Sequence, residues 1–103
     1  MDKLVRDRIP ELMNQEGKSF TIKKVKGREL LHYLFKKLLE EVNELIKEQN
    51  PEEIADILEV LETICRVKGW KWEDILVIKD KKQRERGGFE KGIVISEVEL
   101  REE

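Results

Sequence analysis

Four acidic residues occur as two pairs at the spacing of a helical turn: Glu41 with Glu44, and Glu53 with Asp56. Side chains three residues apart on a helix project from one side, so each pair would present two carboxylates together. An all-oxygen set without His or Cys selects hard cations, magnesium first and manganese second, over zinc. Four such groups in close quarters repel one another strongly, which is tolerable if cations lie among them. Glu40 adjoins the first pair. The same spacing also describes an ordinary solvated face with weak ion pairs, such as Lys37 with Glu41, and Glu53 alone could be a helix cap. Spacing by itself favours that plainer description, because Glu-rich helices are common.

Two elements must position these groups. From Arg28 to Glu48, Leu31, Leu34, Phe35, Leu38, Val42, Leu45 and Ile46 recur at three- and four-residue steps, the period of an amphipathic helix. A second helix is expected after Asn50 as its cap, with Pro51 at the first position and Glu53 where a capping-box acid sits, running to about Lys68. Its stripe is Ile54, Ile57, Leu58, Leu61, Ile64 and Cys65, widened by Val60 and Val67. The short link at Gln49 and Asn50 forces the two helices to lie antiparallel as neighbours. At ~1.5 Å rise per residue, Glu44 comes level with Glu53 and Glu41 with Asp56. On a helical wheel of about 100° per residue, Glu41 lies roughly a quarter-turn from its apolar stripe with Glu44 further round, while Glu53 and Asp56 line up with Val60 and Val67.

Elsewhere the signals are shorter. Val5 to Gln15 reads as a turn leading into a short helix, with Pro10 near its start and Gly17 at its stop. Phe20 to Val25 alternates loosely and reads as extended. Gly69 ends the second long helix, and Trp72 to about Arg86 reads as another, starting near Glu73 and Asp74 and turning basic before Gly87 and Gly88. Ile93 to Leu100 is rich in β-branched residues and is the best strand, paired with the segment near Phe20. The expected fold class is therefore mainly α: a helical bundle around an antiparallel helical hairpin, with a minor β element near the chain ends.

The 103 residues suffice for one domain with a modest core, and an all-helical chain this short often completes its core with a second copy, so a homodimer is expected. Charged residues make up 43% of the chain, yet the formal net charge is only -2, which argues against bulk nucleic-acid binding. Cys65 is the only cysteine, so neither an internal disulfide nor a cysteine metal cluster can form. No apolar run suits a membrane span or a signal peptide, and a cytoplasmic setting is expected.

The run Glu40, Glu41, Val42, Asn43, Glu44, followed by Glu53, Ile54, Ala55, Asp56, resembles the E-E-x-x-E then E-x-x-D signature of the all-α NTP pyrophosphatases, the MazG-like superfamily. The flanking blocks KLVRDRIP, from Lys3 to Pro10, and RGGFEKGIV, from Arg86 to Val94, resemble the ends of a phosphoribosyl-ATP pyrophosphohydrolase-like subgroup. The likeness spans nearly the whole chain, although the interval between Glu44 and Glu53 is shorter than in many members. It implies magnesium-dependent hydrolysis of a nucleoside triphosphate between its α- and β-phosphates, giving the monophosphate and pyrophosphate, with the ligand positions falling on Glu41, Glu44, Glu53 and Asp56. House-cleaning of non-canonical or surplus nucleotides would follow. Phosphoribosyl-ATP pyrophosphohydrolysis and a non-catalytic helical interaction module are the alternatives.

A triphosphate needs donors. Lys3, Arg6 and Arg8 lie in the first block, and Lys79, Lys82, Arg84 and Arg86 precede the paired glycines. Arginine suits bidentate phosphate contacts and glycines admit backbone N–H groups, so Arg6, Lys82 and Arg86 are favoured as a phosphate clamp. The basic helix end also has a plain reading as a complement to the helix dipole. Phe89 and Tyr33 are the aromatics placed to hold a base, with core packing as their plainer reading, and Trp70 and Trp72 are expected to anchor a loop on the core. His32 lacks a partner and reads as structural. Cys65, inside an apolar stripe, reads as a buried small residue.

Overall fold

The computed structural model describes residues 2–97. Among them run four helices: α1 (Ile9–Gln15), α2 (Gly27–Glu48), α3 (Pro51–Lys68) and α4 (Trp72–Arg86). They fall in two compact units, one over Met1–Lys71 and one over Trp72–Glu103.

The turn between α2 and α3 follows from three consecutive residues. Gln49 adopts the left-handed conformation at φ 51°, and its N–H donates to the Leu45 carbonyl at 2.9 Å, closing α2. A residue with a Cβ pays ~1 kcal/mol or more to sit there, partly offset by the Gln49 Nε2 donating to the Ile46 carbonyl at 3.1 Å. Asn50 is extended, and its Oδ1 accepts from the Glu53 N–H at 3.3 Å, which satisfies one of the free donors of α3. Pro51, with no N–H to satisfy and φ preset, opens the helix. Gly69, at φ +75°, closes it.

Leu34, from the first half of α2, shares a buried cluster with Val60 and Ile64 from the second half of α3. The helices therefore run in opposite senses. Leu30, Leu31, Leu38 and Val67 extend the cluster, and Leu4 packs on it from the segment ahead of α1. Cys65 is also buried.

At about 100° per residue, Phe35, Leu39, Val42 and Ile46 make a second line along α2, roughly a quarter-turn from Leu34 and Leu38. Ile54, Leu58, Leu61 and Cys65 make the corresponding line on α3, displaced similarly from Val60 and Ile64. In antiparallel helices both displacements lead to the same side of the hairpin. Glu41 and Asp56 are displaced the opposite way, with Glu53 at the seam. The hairpin thus has an apolar face and an acidic face. Cys65 is buried and Leu61 half-buried, but the rest of the apolar face is bare, with Leu39 67% and Ile46 65% exposed.

The expected minor β element is not seen among the described residues: 18–26 and 93–97 are irregular, and Val98 to Leu100 lie outside the described residues. β-branched composition stabilises a strand only when a neighbouring surface covers it. Ile93, Val94 and Ile95 are mostly bare, and the first segment carries Lys23, Lys24 and Lys26. In its own unit, α4 lacks a sharp apolar stripe. Trp72 and Ile75 are half-buried, while Leu76, Val77 and Ile78 are exposed.

Because so few side chains are fully covered, each carries a large share of stability. Leu34→Ala should cost about 2–4 kcal/mol in urea unfolding, whereas Gln49→Gly should raise stability by about 0.5 kcal/mol by relieving the left-handed turn.

Candidate metal centre

Glu41 descends from α2 while Glu53 and Asp56 come from the first turns of α3, and one carboxylate oxygen from each lies within 4.8 Å of the others. All three side chains belong to half-buried residues, and Glu41 has only 13% of its side chain exposed. The placement is local in origin. Asn50 fixes the start of α3, so Glu53 occupies the third helical position, and its carboxylate joins the triad instead of closing a capping box. Asp56 follows one turn later on the same side.

The charges are imperfectly compensated. Partial burial pushes the Glu53 carboxyl above the usual carboxylate range, and the negative charges of Asp56, Glu44, Glu41 and Glu48 push it further. Two cations answer this. Lys37 lies 3.5 Å from both Glu40 and Glu41, bridging them along α2. Arg6, from the segment ahead of α1, donates from its terminal guanidinium nitrogen to the Asp56 Oδ1 at 2.7 Å. Among the described residues it is the only side-chain hydrogen bond that joins segments far apart in sequence.

The donor set fits a small hard cation. Ligand oxygens around an octahedral magnesium ion at ~2.1 Å are roughly 3–4.2 Å apart, so small side-chain rotations would bring the triad to that spacing. Oxygen-only donors with surplus negative charge are what magnesium and manganese prefer.

Glu44 stands outside the triad. It is exposed, yet close enough to Glu53 to raise that residue's pKa. Axial rise puts it level with Glu53, but its angle around α2 turns it away. Glu40 is exposed and held by Lys37. Lys82 and Arg86 lie in the last turns of α4, in the second unit, and both are exposed. Phe89 is 99% exposed and Trp70 is bare under the Lys68 ammonium, so neither anchors a core. Tyr33 is half-buried, edge-on to the exposed ring of His32.

Lys3, Tyr33, Lys37 and Glu40 each stood out in the sequence, but their grouping did not. Lys3, Lys36, Lys37 and Tyr33, with Asp2, Leu4 and Glu40, line a cavity of about 330 Å³ beside the acidic face. The signal for it was the apolar Leu4 within KLVRDRIP, which seats that basic segment on the hairpin core.

Comparison with protein-family models, curated proteins and solved structures finds no match. The functional reading therefore rests on the residues and their geometry.

Because its pKa is raised, Glu53 binds its proton more tightly folded than unfolded. Its contribution thus favours folding at acidic pH and is lost as pH rises through the carboxylate range, leaving it unfavourable near neutrality. In the absence of metal, Glu53→Gln should raise the melting temperature at pH 7, and the increment should shrink at pH 4. Differential scanning fluorimetry at the two pH values checks both signs.

Proposed function

We propose that this chain is a MazG-like nucleoside triphosphate pyrophosphohydrolase that uses magnesium, or manganese in its place, to cleave between the α- and β-phosphates. The observation that carries the reading is the convergence of Glu41, Glu53 and Asp56 from two helices beside a basic segment. It joins the E-E-x-x-E then E-x-x-D run and the KLVRDRIP block within the first unit.

In this reading Glu41, Glu53 and Asp56 would hold the cation, and Glu44, outside the triad, would add negative charge beside it. A bound cation there supplies charge neutralisation and polarises the α-phosphorus. A water oxygen attacks that phosphorus, the bond to the bridging oxygen breaks, and pyrophosphate departs with the bond's electron pair. Glu40 orients the water and accepts its proton, while Lys37 holds the Glu40 carboxylate beside Glu41. Arg6 offers a guanidinium to the phosphates. Arg86, within the RGGFEKGIV block, and Lys82 ahead of it stay phosphate-binding candidates on the sequence alone. Removal of surplus or non-canonical nucleotides in the cytoplasm is the role that such an activity serves.

The functional particle is a homodimer, and the two hairpins together make a helical bundle. Phe35, Leu39, Val42, Ile46, Ile54 and Leu58 are between 37% and 67% exposed on one face. Their bare area is ~600 Å² per copy, so a twofold pairing would bury ~1,200 Å², within the range of specific interfaces. A monomer rarely leaves so large an apolar patch open, and a two-helix core this thin is marginal alone. Twofold pairing joins the same patch to itself and leaves both acidic faces outward.

Two experiments test the reading. Incubation with a panel of ribo- and deoxyribonucleoside triphosphates and magnesium should release pyrophosphate, and Glu41→Gln or Asp56→Asn should lower kcat/KM by about 100-fold or more. No turnover of any triphosphate would sink the enzyme assignment and leave a non-catalytic module. In sedimentation equilibrium the native protein should be dimeric, and Leu39→Glu with Ile46→Glu should shift it towards monomer. A native monomer would refute the pairing.

A further inference from the structure

The Arg6 guanidinium lies against Asp56, a member of the acidic triad, with 2.7 Å between donor nitrogen and Oδ1. Its position is built in. Leu4 anchors the segment on the Leu34, Val60 and Ile64 cluster, and the Ile9 N–H donates to the Arg6 carbonyl at 3.0 Å, fixing the turn into α1. A guanidinium and a divalent cation cannot both claim the same carboxylate oxygen at full strength, because they compete for its lone pairs and repel one another.

We propose that Arg6 is the exchangeable counter-cation of this centre: it occupies Asp56 in the free protein and passes to a polyphosphate when the metal enters. This rests on the metal site proposed above. Its consequence is that the ligand best suited to the site is the metal–polyphosphate complex, not the metal or the polyphosphate alone. The metal displaces Arg6 from Asp56, and the released fork matches a pair of phosphate oxygens. Each ligand favours the state in which Arg6 has left the carboxylate, so each tightens the other by the same factor. The exposure of the pair keeps the effect modest, at about two- to fivefold in affinity.

Two calorimetric titrations test this: manganese alone into the full chain, and a non-hydrolysable α,β-methylene nucleoside triphosphate at saturating manganese. The proteins are the native chain, Arg6→Ala, Arg6→Gln and Glu53→Gln, each checked for unchanged helicity by circular dichroism. Removing the Arg6 charge should tighten manganese about two- to fivefold in the absence of nucleotide, and should weaken the analogue when manganese is bound. Opposite signs in the two titrations are the signature of exchange. A purely structural Arg6 would weaken both. If manganese binds the native chain and is lost in Glu53→Gln, but both Arg6 variants bind it no tighter than the native chain, the exchange is overturned and the metal site stands. If manganese binds neither the native chain nor the Arg6 variants, the metal site fails and the exchange with it.

Discussion

Carboxylates brought together from two helices resist being together, and everything on the acidic side of the hairpin answers that repulsion. Glu53 carries it most visibly, since partial burial and four acidic neighbours all press its carboxyl towards the protonated form. Lys37 takes up part of the charge on Glu40 and Glu41, and Arg6 takes up part of that on Asp56. Both are single charges on flexible stems, and surface pairs of that kind contribute little. The remaining imbalance is what a small divalent cation would relieve, and the proposed chemistry begins from there.

The helical turn that places these groups also divides the hairpin. Asn50 and Pro51 start α3 at a position that brings Glu53 and Asp56 towards Glu41, and the same rotation carries Ile54 and Leu58 to the opposite face beside Val42 and Ile46. Acidic convergence and apolar exposure are thus two results of one register. Shifting α3 by a single residue would rotate it by about 100°, opening the triad and burying a different face. The KLVRDRIP segment joins the two kinds of force in one stretch, with Leu4 in the core and Arg6 on the carboxylate two residues later.

The helices were legible because their apolar residues recur at the helical period and because Asn50, Pro51 and Gly69 mark their ends. The partnership of Glu41 with Asp56 followed from rise alone. Glu44 shows where that reasoning stops: rise made it level with Glu53, but angle decides which way a side chain faces, and Glu44 lies too far round α2. Arg6 was favoured as a phosphate donor, yet its contact with Asp56 spans fifty positions and no local period encodes it. The expected strand from Ile93 was read from β-branched residues, whose preference is realised only against a covering surface, and 93–97 have none among the described residues. Phe89 likewise has an aromatic side chain and nothing packed on it.

The most direct measurement of the central claim is an anomalous difference map from crystals grown with manganese. The expected result is a peak bound by carboxylate oxygens of Glu41, Glu53 and Asp56, with the Arg6 guanidinium moved off Oδ1 of Asp56. A map with no peak there, and with Arg6 still paired to Asp56 at saturating manganese, would contradict it.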